Sequence, residues 1–257
     1  MFHPITAYLK FLWHSKNQHG VHSPFVFRLV TKCFYDKKKK PEYATLGNYR
    51  KALLHNTSTI SVTDFGAGSR VFKSDNRSVA RIAKNAGISK KRARLLFRLV
   101  RYFQPENILE IGTSLGLATA SLASGNAKAR ITTIEGCPET ARIARENMAT
   151  FGYNNITSVV SEFQVYLDST PNTTYDLIYF DGNHQKEATL RYFDTLLPTI
   201  SNDTLWIFDD IHWSADMEAA WQKIKAHPQV TVTIDTFQWG FVFFRREQEK
   251  EHFIIRV

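Results

Sequence analysis

Five acidic residues in the second part of the chain each close a predicted strand or the turn after it. They are Glu110, Glu135, Asp181 and the pair Asp209–Asp210. Because parallel strands place their ligand crevice at their carboxyl ends, we expect all five at one edge of a sheet. Charged groups are costly to hold near a core, so such a set favours ligand or metal binding. Helix capping explains one or two of these residues, but it explains five poorly.

The three aspartates of this set suit a hard divalent cation. Asp181 follows the predicted strand Tyr175–Phe180, and Asp209 and Asp210 follow the predicted strand Thr204–Phe208. Carboxylate oxygens are the ligands that Mg²⁺ prefers. We therefore predict a site for Mg²⁺ or a similar divalent cation at Asp181, Asp209 and Asp210. The alternative is that Asp209 and Asp210 cap the next helix and that Asp181 accepts backbone hydrogen bonds.

A glycine-bearing turn follows the apolar run Ile108–Ile111. Its sequence is Glu110-Ile-Gly-Thr-Ser-Leu-Gly116, and the apolar segment Leu117–Leu122 is predicted to be a helix. Glycine lets a bare backbone approach a ligand closely. A dinucleotide fingerprint needs a further glycine in the middle of the turn, so this spacing disfavours an NAD dehydrogenase.

This turn resembles the first motif of class I S-adenosylmethionine-dependent methyltransferases. Glu135, which ends the next strand, would accept hydrogen bonds from two ribose hydroxyls, a role that NAD enzymes share. Ser161 and Glu162 follow the third strand, where the family contacts adenine; a solvent-facing helix start is the alternative. The resemblance implies a cofactor site made of Glu110, Gly112, Thr113, Ser114, Gly116, Glu135, Ser161, Glu162 and Asp181.

The aspartate segments Tyr175–His184 and Leu205–Ile211 resemble those of the metal-dependent catechol and caffeoyl-coenzyme A O-methyltransferases, and of a bacterial branch of that superfamily. Asp210 stands where the group has Asn, which makes the predicted metal site more negative. His184 stands where some members have a basic Lys, so the resemblance implies His184, or else Lys186, as general base. The alternative for His184 is a helix-start residue that bonds to backbone.

The acceptor atom is predicted to be a hydroxyl oxygen. Methyltransferases that act on the amino groups of adenine or glutamine typically carry Asn-Pro-Pro-Tyr after the fourth strand. The same place here holds Asp181-Gly-Asn-His184. The resemblance therefore implies O-methylation of a small molecule that depends on a divalent metal ion.

From residue 107 onward, strands and helices alternate, and the predicted strands Val230–Thr236 and Phe241–Arg245 close the chain as a hairpin. This order predicts the α/β fold class. The resemblance implies a Rossmann-like sheet of seven mostly parallel strands, with the last strand antiparallel. We predict a helical N-terminal extension at 1–104 and an S-adenosylmethionine-binding domain at 105–257. The polar, glycine-bearing stretch Asp64–Ser69 is predicted to be a loop over the active site.

The charge of the chain changes sign at the predicted domain boundary. Residues 1–105 carry 21 Lys and Arg against 4 Asp and Glu, whereas residues 106–257 carry 12 against 20. The basic part is either a solvated face or a surface that attracts an anionic acceptor, nucleic acid or membrane. Two alternatives to small-molecule methylation therefore stay open: an RNA methyltransferase, and a non-catalytic nucleotide-binding protein on the same fold.

Apolar runs, targeting patterns and cysteines indicate where in the cell the protein is expected. The sequence has no apolar run long enough for a membrane span and no signal-peptide pattern, and its two cysteines form no disulfide framework, so we expect a cytoplasmic protein.

An apolar stripe recurs at helical spacing near the start of the chain, and it consists of Phe2, Ile5, Tyr8, Leu9, Leu12 and Trp13. We expect this stripe to pack on the core or on a second subunit, which makes a homodimer possible.

Overall fold

The structure is a computed structural model that describes residues 3–63, 74–170 and 172–257. The chain forms two compact units, Lys37–Tyr166 and Met1–Asp36 with Leu167–Val257. The predicted boundary at 104/105 separates basic from acidic sequence and stays a prediction. The stretch Asp64–Ser69, predicted to lie over the active site, falls outside the described residues.

The order of elements fits the alternation predicted for the second part of the chain. The helices are α1 (His3–His14), α2 (Pro24–Leu29), α3 (Glu42–His55), α4 (Val79–Asn85), α5 (Lys90–Phe103), α6 (Leu117–Gly125), α7 (Pro138–Thr150), α8 (Phe163–Ser169), α9 (Lys186–Leu196) and α10 (Ala215–Ala226). The strands are β1 (Thr59–Ser61), β2 (Asn76–Ser78), β3 (Asn107–Ile111), β4 (Arg130–Glu135), β5 (Ile156–Val160), β6 (Leu177–Phe180), β7 (Leu205–Asp209), β8 (Val232–Asp235), β9 (Trp239–Phe243) and β10 (Glu251–Ile254).

Local chemistry sets where several helices begin. Ser89 and Ser214 accept hydrogen bonds from the third backbone amide of α5 and α10 respectively, which satisfies a donor that the helix cannot. Pro138 occupies the first turn of α7, where its missing N–H costs nothing. Pro138 thus begins α7, and Ser214 caps α10.

In the unit Lys37–Tyr166, β3 runs parallel to β4, and β4 runs parallel to β5. Ile111 pairs with Ile134, and Glu135 pairs with Val160. This register places the turn after β3, the end of β4 and the end of β5 at one edge. Leu96 and Leu99 of α5 are fully buried, so this basic helix has one apolar face that packs in the core.

In the other unit, β6 and β7 are parallel, and β9 runs antiparallel to both β7 and β8. The predicted fold class, α/β with mostly parallel strands, is confirmed. β10 was not predicted, and it pairs in parallel with β8. The antiparallel strand is therefore β9 and not the last strand of the chain.

Within this chain, helix α1 buries residues that are not in the predicted apolar stripe, and packing of that stripe on a second subunit stays a prediction. Ala7 and Phe11 are buried, and Phe11 contacts Phe237 at a ring-centroid distance of 5.6 Å. From the predicted stripe, Leu9 is 61% exposed and Trp13 is 88% exposed. Across the described part of the chain, we find no helix with the length and apolar character of a membrane span.

Candidate active site

The turn after β3 has an unusual backbone. Gly112, Ser114 and Gly116 have φ angles of 104°, 47° and 74°, all in the left-handed region. The amides of Gly112 and Thr113 both donate to the carbonyl oxygen of Ile134, at 3.0 and 3.1 Å. The turn is therefore anchored to the neighbouring strand β4, and its glycines supply conformations that other residues adopt at a cost.

Glu135 holds the same turn from the end of β4. Its Oε2 accepts a hydrogen bond from the amide of Ser114 at 2.8 Å, and its Oε1 accepts one from the amide of Cys137 at 3.0 Å. The amide of Ser161 donates to the backbone oxygen of Glu135 at 3.1 Å. The structure therefore brings Ser114, Glu135 and Ser161 together, and their contact with a cofactor stays a prediction.

Glu162 is exposed, and its backbone oxygen accepts a hydrogen bond from the Ser161 hydroxyl at 2.9 Å. The amide of Tyr166 also donates to this oxygen, so Glu162 immediately precedes α8 as a helix-start residue. A contact between adenine and Ser161 or Glu162 stays a prediction.

Glu110 lies in the interior and not on an open surface. It is fully buried, and Thr119 and Thr133 both donate hydrogen bonds of 2.5 Å to its Oε2. Burial raises the pKa of Glu110 to about 8, although the two threonine hydrogen bonds act in the opposite direction. Thr133 also bonds to the hydroxyl of Thr113 at 2.5 Å. Glu110 thus connects through Thr133 to the glycine turn, and direct contact with the cofactor stays a prediction.

Gly116 is the most constrained residue of the turn. A Cβ atom built on Gly116 would lie 2.5 Å from the hydroxyl of Tyr49 and 2.6 Å from Cε of Met148. Tyr49 is fully buried, and its hydroxyl donates to the carbonyl oxygen of Leu115 at 3.0 Å. The Tyr49 oxygen therefore cannot move away without loss of a hydrogen bond beside the turn.

We expect Gly116→Ala to reduce the free energy of unfolding by about 2–4 kcal/mol, since overpacking adds to the strain of a positive φ. Gly152→Ala is the matched control, because Gly152 has a φ of 72° and nothing within 4 Å of a built Cβ. That control isolates the backbone strain, which should cost about 1 kcal/mol. Urea unfolding of both variants measures the difference. Equal stability of the two variants would show that the contact with Tyr49 is unimportant.

A pair of carboxylates lies at the ends of β6 and β7, in the unit that contains Leu167–Val257. The hydroxyl of Tyr179 lies 3.2 Å from Oδ2 of Asp181 and 3.2 Å from Oδ2 of Asp209. Asp209 is 4% exposed, and its Oδ1 accepts a hydrogen bond from the amide of Asp210 at 2.9 Å. Because a single hydroxyl donor is shared by two negatively charged carboxylates, their mutual repulsion favours a bound cation.

The segment after Asp181 has two successive residues in the left-handed region. Asn183 and His184 have φ angles of 70° and 48°. Nε2 of His184 lies 3.7 Å from Oδ1 of Asp181, which is an ion-pair distance for a protonated imidazole and longer than a hydrogen bond. Strain of this kind in non-glycine residues is typical of functional sites.

Lys186 has other contacts. Its Nζ lies 3.7 Å from Oε1 of Glu187, and its amide donates to Oδ2 of Asp216 at 2.8 Å. Of the two predicted bases, His184 and Lys186, His184 is therefore the one that lies beside Asp181.

The predicted metal ligands are brought together only in part. Asp181 and Asp209 meet at Tyr179, whereas Asp210, with a φ of 54°, is joined to Asp209 through its backbone amide. Within the described residues, three or more His, Cys, Asp or Glu side chains nowhere take the arrangement of a metal site. Two carboxylates do fit one hard cation, since Mg²⁺ usually takes one or two of them and completes its shell with other oxygens. The three-carboxylate set stays a prediction.

Comparison with known proteins bears on the segment of the chain that contains both the glycine turn and the aspartate pair. Residues 109–211 match the family model described as "Methyltransferase domain". This segment of the chain is similar to that domain family. A catechol O-methyltransferase of Mycobacterium tuberculosis is 27% identical over 158 residues, which are 60% of this chain and 68% of that protein. The resemblance to O-methyltransferases predicted from the sequence is thus confirmed.

Solved structures of methyltransferases share the fold. The O-methyltransferase from Bacillus cereus in complex with SAH has a TM-score of 0.55 and 21% identity, and covers 81% of this chain and 91% of its own. The SAH-bound methyltransferase from Podospora anserina has a TM-score of 0.61 and 15% identity, and covers 88% of this chain and 97% of its own. At these identities the likeness establishes the fold.

From the sequence, three residues of the candidate site were not identified, namely Tyr179, Thr133 and Thr119. Tyr179 precedes Asp181 by two residues, and Thr133 precedes Glu135 by two, so the strand period of two places each pair on one face. This strand periodicity could have identified Tyr179 and Thr133 from the sequence. Thr119 was not predictable in this way, because its contact with Glu110 depends on how α6 packs beside β3.

Proposed function

We propose that this protein transfers the methyl group of S-adenosylmethionine to a hydroxyl oxygen of a small-molecule acceptor. The observation that carries the proposal is the glycine turn held by Glu135, at the ends of β3 and β4, within the segment that matches a methyltransferase domain. The relative from Mycobacterium tuberculosis is named a catechol O-methyltransferase, and the Bacillus cereus O-methyltransferase was solved with SAH. These names support an oxygen acceptor and this cofactor.

In this proposal the residues of the turn and of β4 bind the cofactor. A carboxylate can accept about four hydrogen bonds, so Glu135 has capacity for ribose hydroxyls besides the amides of Ser114 and Cys137. The glycines allow the backbone to approach the cofactor closely. S-adenosylmethionine supplies a methyl group already activated by the sulfonium, so the protein chiefly has to orient and deprotonate the acceptor.

The acceptor side of the proposal rests on the aspartate pair. Asp181 and Asp209, with Asp210 as the third predicted ligand, would hold Mg²⁺ or a similar divalent cation. Such an ion lowers the pKa of a hydroxyl bound to it. His184, held 3.7 Å from Asp181, would take the hydroxyl proton. Lys186 is the second candidate for this role.

Glu135→Gln tests the cofactor assignment. We expect the dissociation constant for S-adenosylmethionine, measured by calorimetry, to rise about 5- to 150-fold, which corresponds to about 1–3 kcal/mol for an unpaired partner. The glutamine keeps one acceptor oxygen, so one of the amides of Ser114 and Cys137 loses its partner, and urea unfolding of the variant measures that separate cost to folding. Glu139→Gln, on the exposed surface of α7, is the control and should bind normally. The assignment fails if NADH binds to the wild-type protein and S-adenosylmethionine does not.

A further inference from the structure

Arg50 is a buried cation for which the described residues supply no partner at its outer nitrogen. It lies on α3 and is 9% exposed, so about nine-tenths of the residue is buried. Its Nη2 is completely buried and has no hydrogen-bond partner among the described residues. A guanidinium has five N–H donors and stays charged in proteins, so this burial is costly unless an anion compensates it.

The surroundings of Arg50 add positive charge. Burial first, and then the like charge of Arg92 on α5, lower the pKa of Arg50. Other arginines of α5 have compensating contacts with α3. Arg94 stacks over the ring of Tyr43 at 5.0 Å, and Arg101 pairs with Glu42 at 3.4 Å. Arg50 thus differs from its neighbours on the same two helices.

We propose that Arg50, with Arg92 beside it, binds an oxyanion, namely a phosphate or carboxylate group of a small-molecule ligand. The planar guanidinium matches two oxygens of either group. An oxyanion there satisfies the buried Nη2, and its negative charge offsets the repulsion between Arg50 and Arg92. Arg50 follows Tyr49, the residue that contacts the glycine turn, but successive helical residues point about 100° apart. The oxyanion site is therefore distinct from that contact.

The test measures thermal unfolding of the full-length protein in potassium phosphate and in potassium chloride of equal ionic strength. For the wild type we expect phosphate to raise the melting temperature by about 3 °C more than chloride, at a concentration near ten times the dissociation constant. Arg50→Met should lose this difference. Arg101→Met is the matched control, because Arg101 bridges the same two helices and has a carboxylate partner, so its phosphate response should persist.

A second measurement separates binding from a merely structural role. Without phosphate, Arg50→Met should melt higher than the wild type, since it removes an uncompensated buried charge; Arg101→Met should not. Arg50→Lys keeps the charge but loses the forked donor geometry of the guanidinium. Phosphate should therefore raise its melting temperature less than that of the wild type. Sodium succinate in place of phosphate shows whether a carboxylate serves equally well.

The proposal is overturned if phosphate and chloride stabilise the wild type equally and succinate also has no effect. It is likewise overturned if Arg50→Met keeps the full response to phosphate. If Arg50→Met does not fold, Arg50→Lys carries the test, and a response equal to that of the wild type counts against the site. The readout needs neither S-adenosylmethionine nor turnover, so failure here leaves the proposed methyl transfer untouched.

Discussion

Excess EDTA is expected to abolish methyl transfer, and added Mg²⁺ or Mn²⁺ is expected to restore it. The expectation rests on Asp181 and Asp209, which share the hydroxyl of Tyr179 and so lie close together with little water around Asp209. Two carboxylates this close repel each other, and a bound cation offsets that repulsion. Without the ion, the acceptor hydroxyl would keep its ordinary pKa, and His184 would have to remove the proton unaided.

The variant Asp209→Asn sharpens this prediction. Asparagine keeps an oxygen for the amide of Asp210, so the local backbone contact survives while the charge is lost. We expect turnover to fall at least about 100-fold, as for removal of a strong electrostatic contribution, with S-adenosylmethionine affinity largely kept. Asp203→Asn is the control, because Asp203 pairs with Arg245 at an exposed position and should leave turnover unchanged.

The opposite result would show that methyl transfer does not depend on a metal ion. Full turnover in excess chelator, with no metal found by elemental analysis, would mean that the aspartates act without a cation. Asp209 would then serve as an acceptor for the amide of Asp210 and the hydroxyl of Tyr179. His184 would be the sole base, and His184→Gln should remove the activity.

The sequence predicted the parts of the fold that depend on local periodicity. Strands such as β3 and β7 are short apolar runs, and α5 shows its buried face at helical spacing, so both could be recognised without tertiary information. β10 escaped because it is only four residues long and two of them are exposed. Its place is fixed by pairing with β8, a long-range contact that no local pattern contains.

Prediction of the site was limited by backbone conformation and by long-range packing. The left-handed residues Ser114, His184 and Asp210 are not glycines, so their sequence does not reveal the strain. The sequence also does not show on which face of β3 Glu110 lies. An acid just before a glycine turn suggests contact with a ligand, but the register of β3 on β4 sets Glu110 opposite Thr133, inside the core.

That buried position gives the other large expected effect, on the pH dependence of stability. The pKa of Glu110 is about 8 in the folded protein, against an ordinary value of 4.5. Because the folded pKa is raised, the stabilisation is fully present below pH 4.5 and is lost as the pH rises through about 8. At 1.36 kcal/mol per pKa unit, the loss is on the order of 5 kcal/mol.

Glu110→Gln is expected to remove this dependence. Its amide oxygen can still accept hydrogen bonds from Thr119 and Thr133, and it cannot ionise. Urea unfolding from pH 5 to pH 9 should show the wild type losing stability relative to the variant, by a few kcal/mol over that range. Glu106→Gln is the control, since Glu106 is exposed on the segment that leads into β3, and its curve should follow that of the wild type. If the Glu110→Gln curve also ran parallel to the wild-type curve, Glu110 would be ionised in the folded core, and its carboxylate would have to be stabilised by the threonines alone.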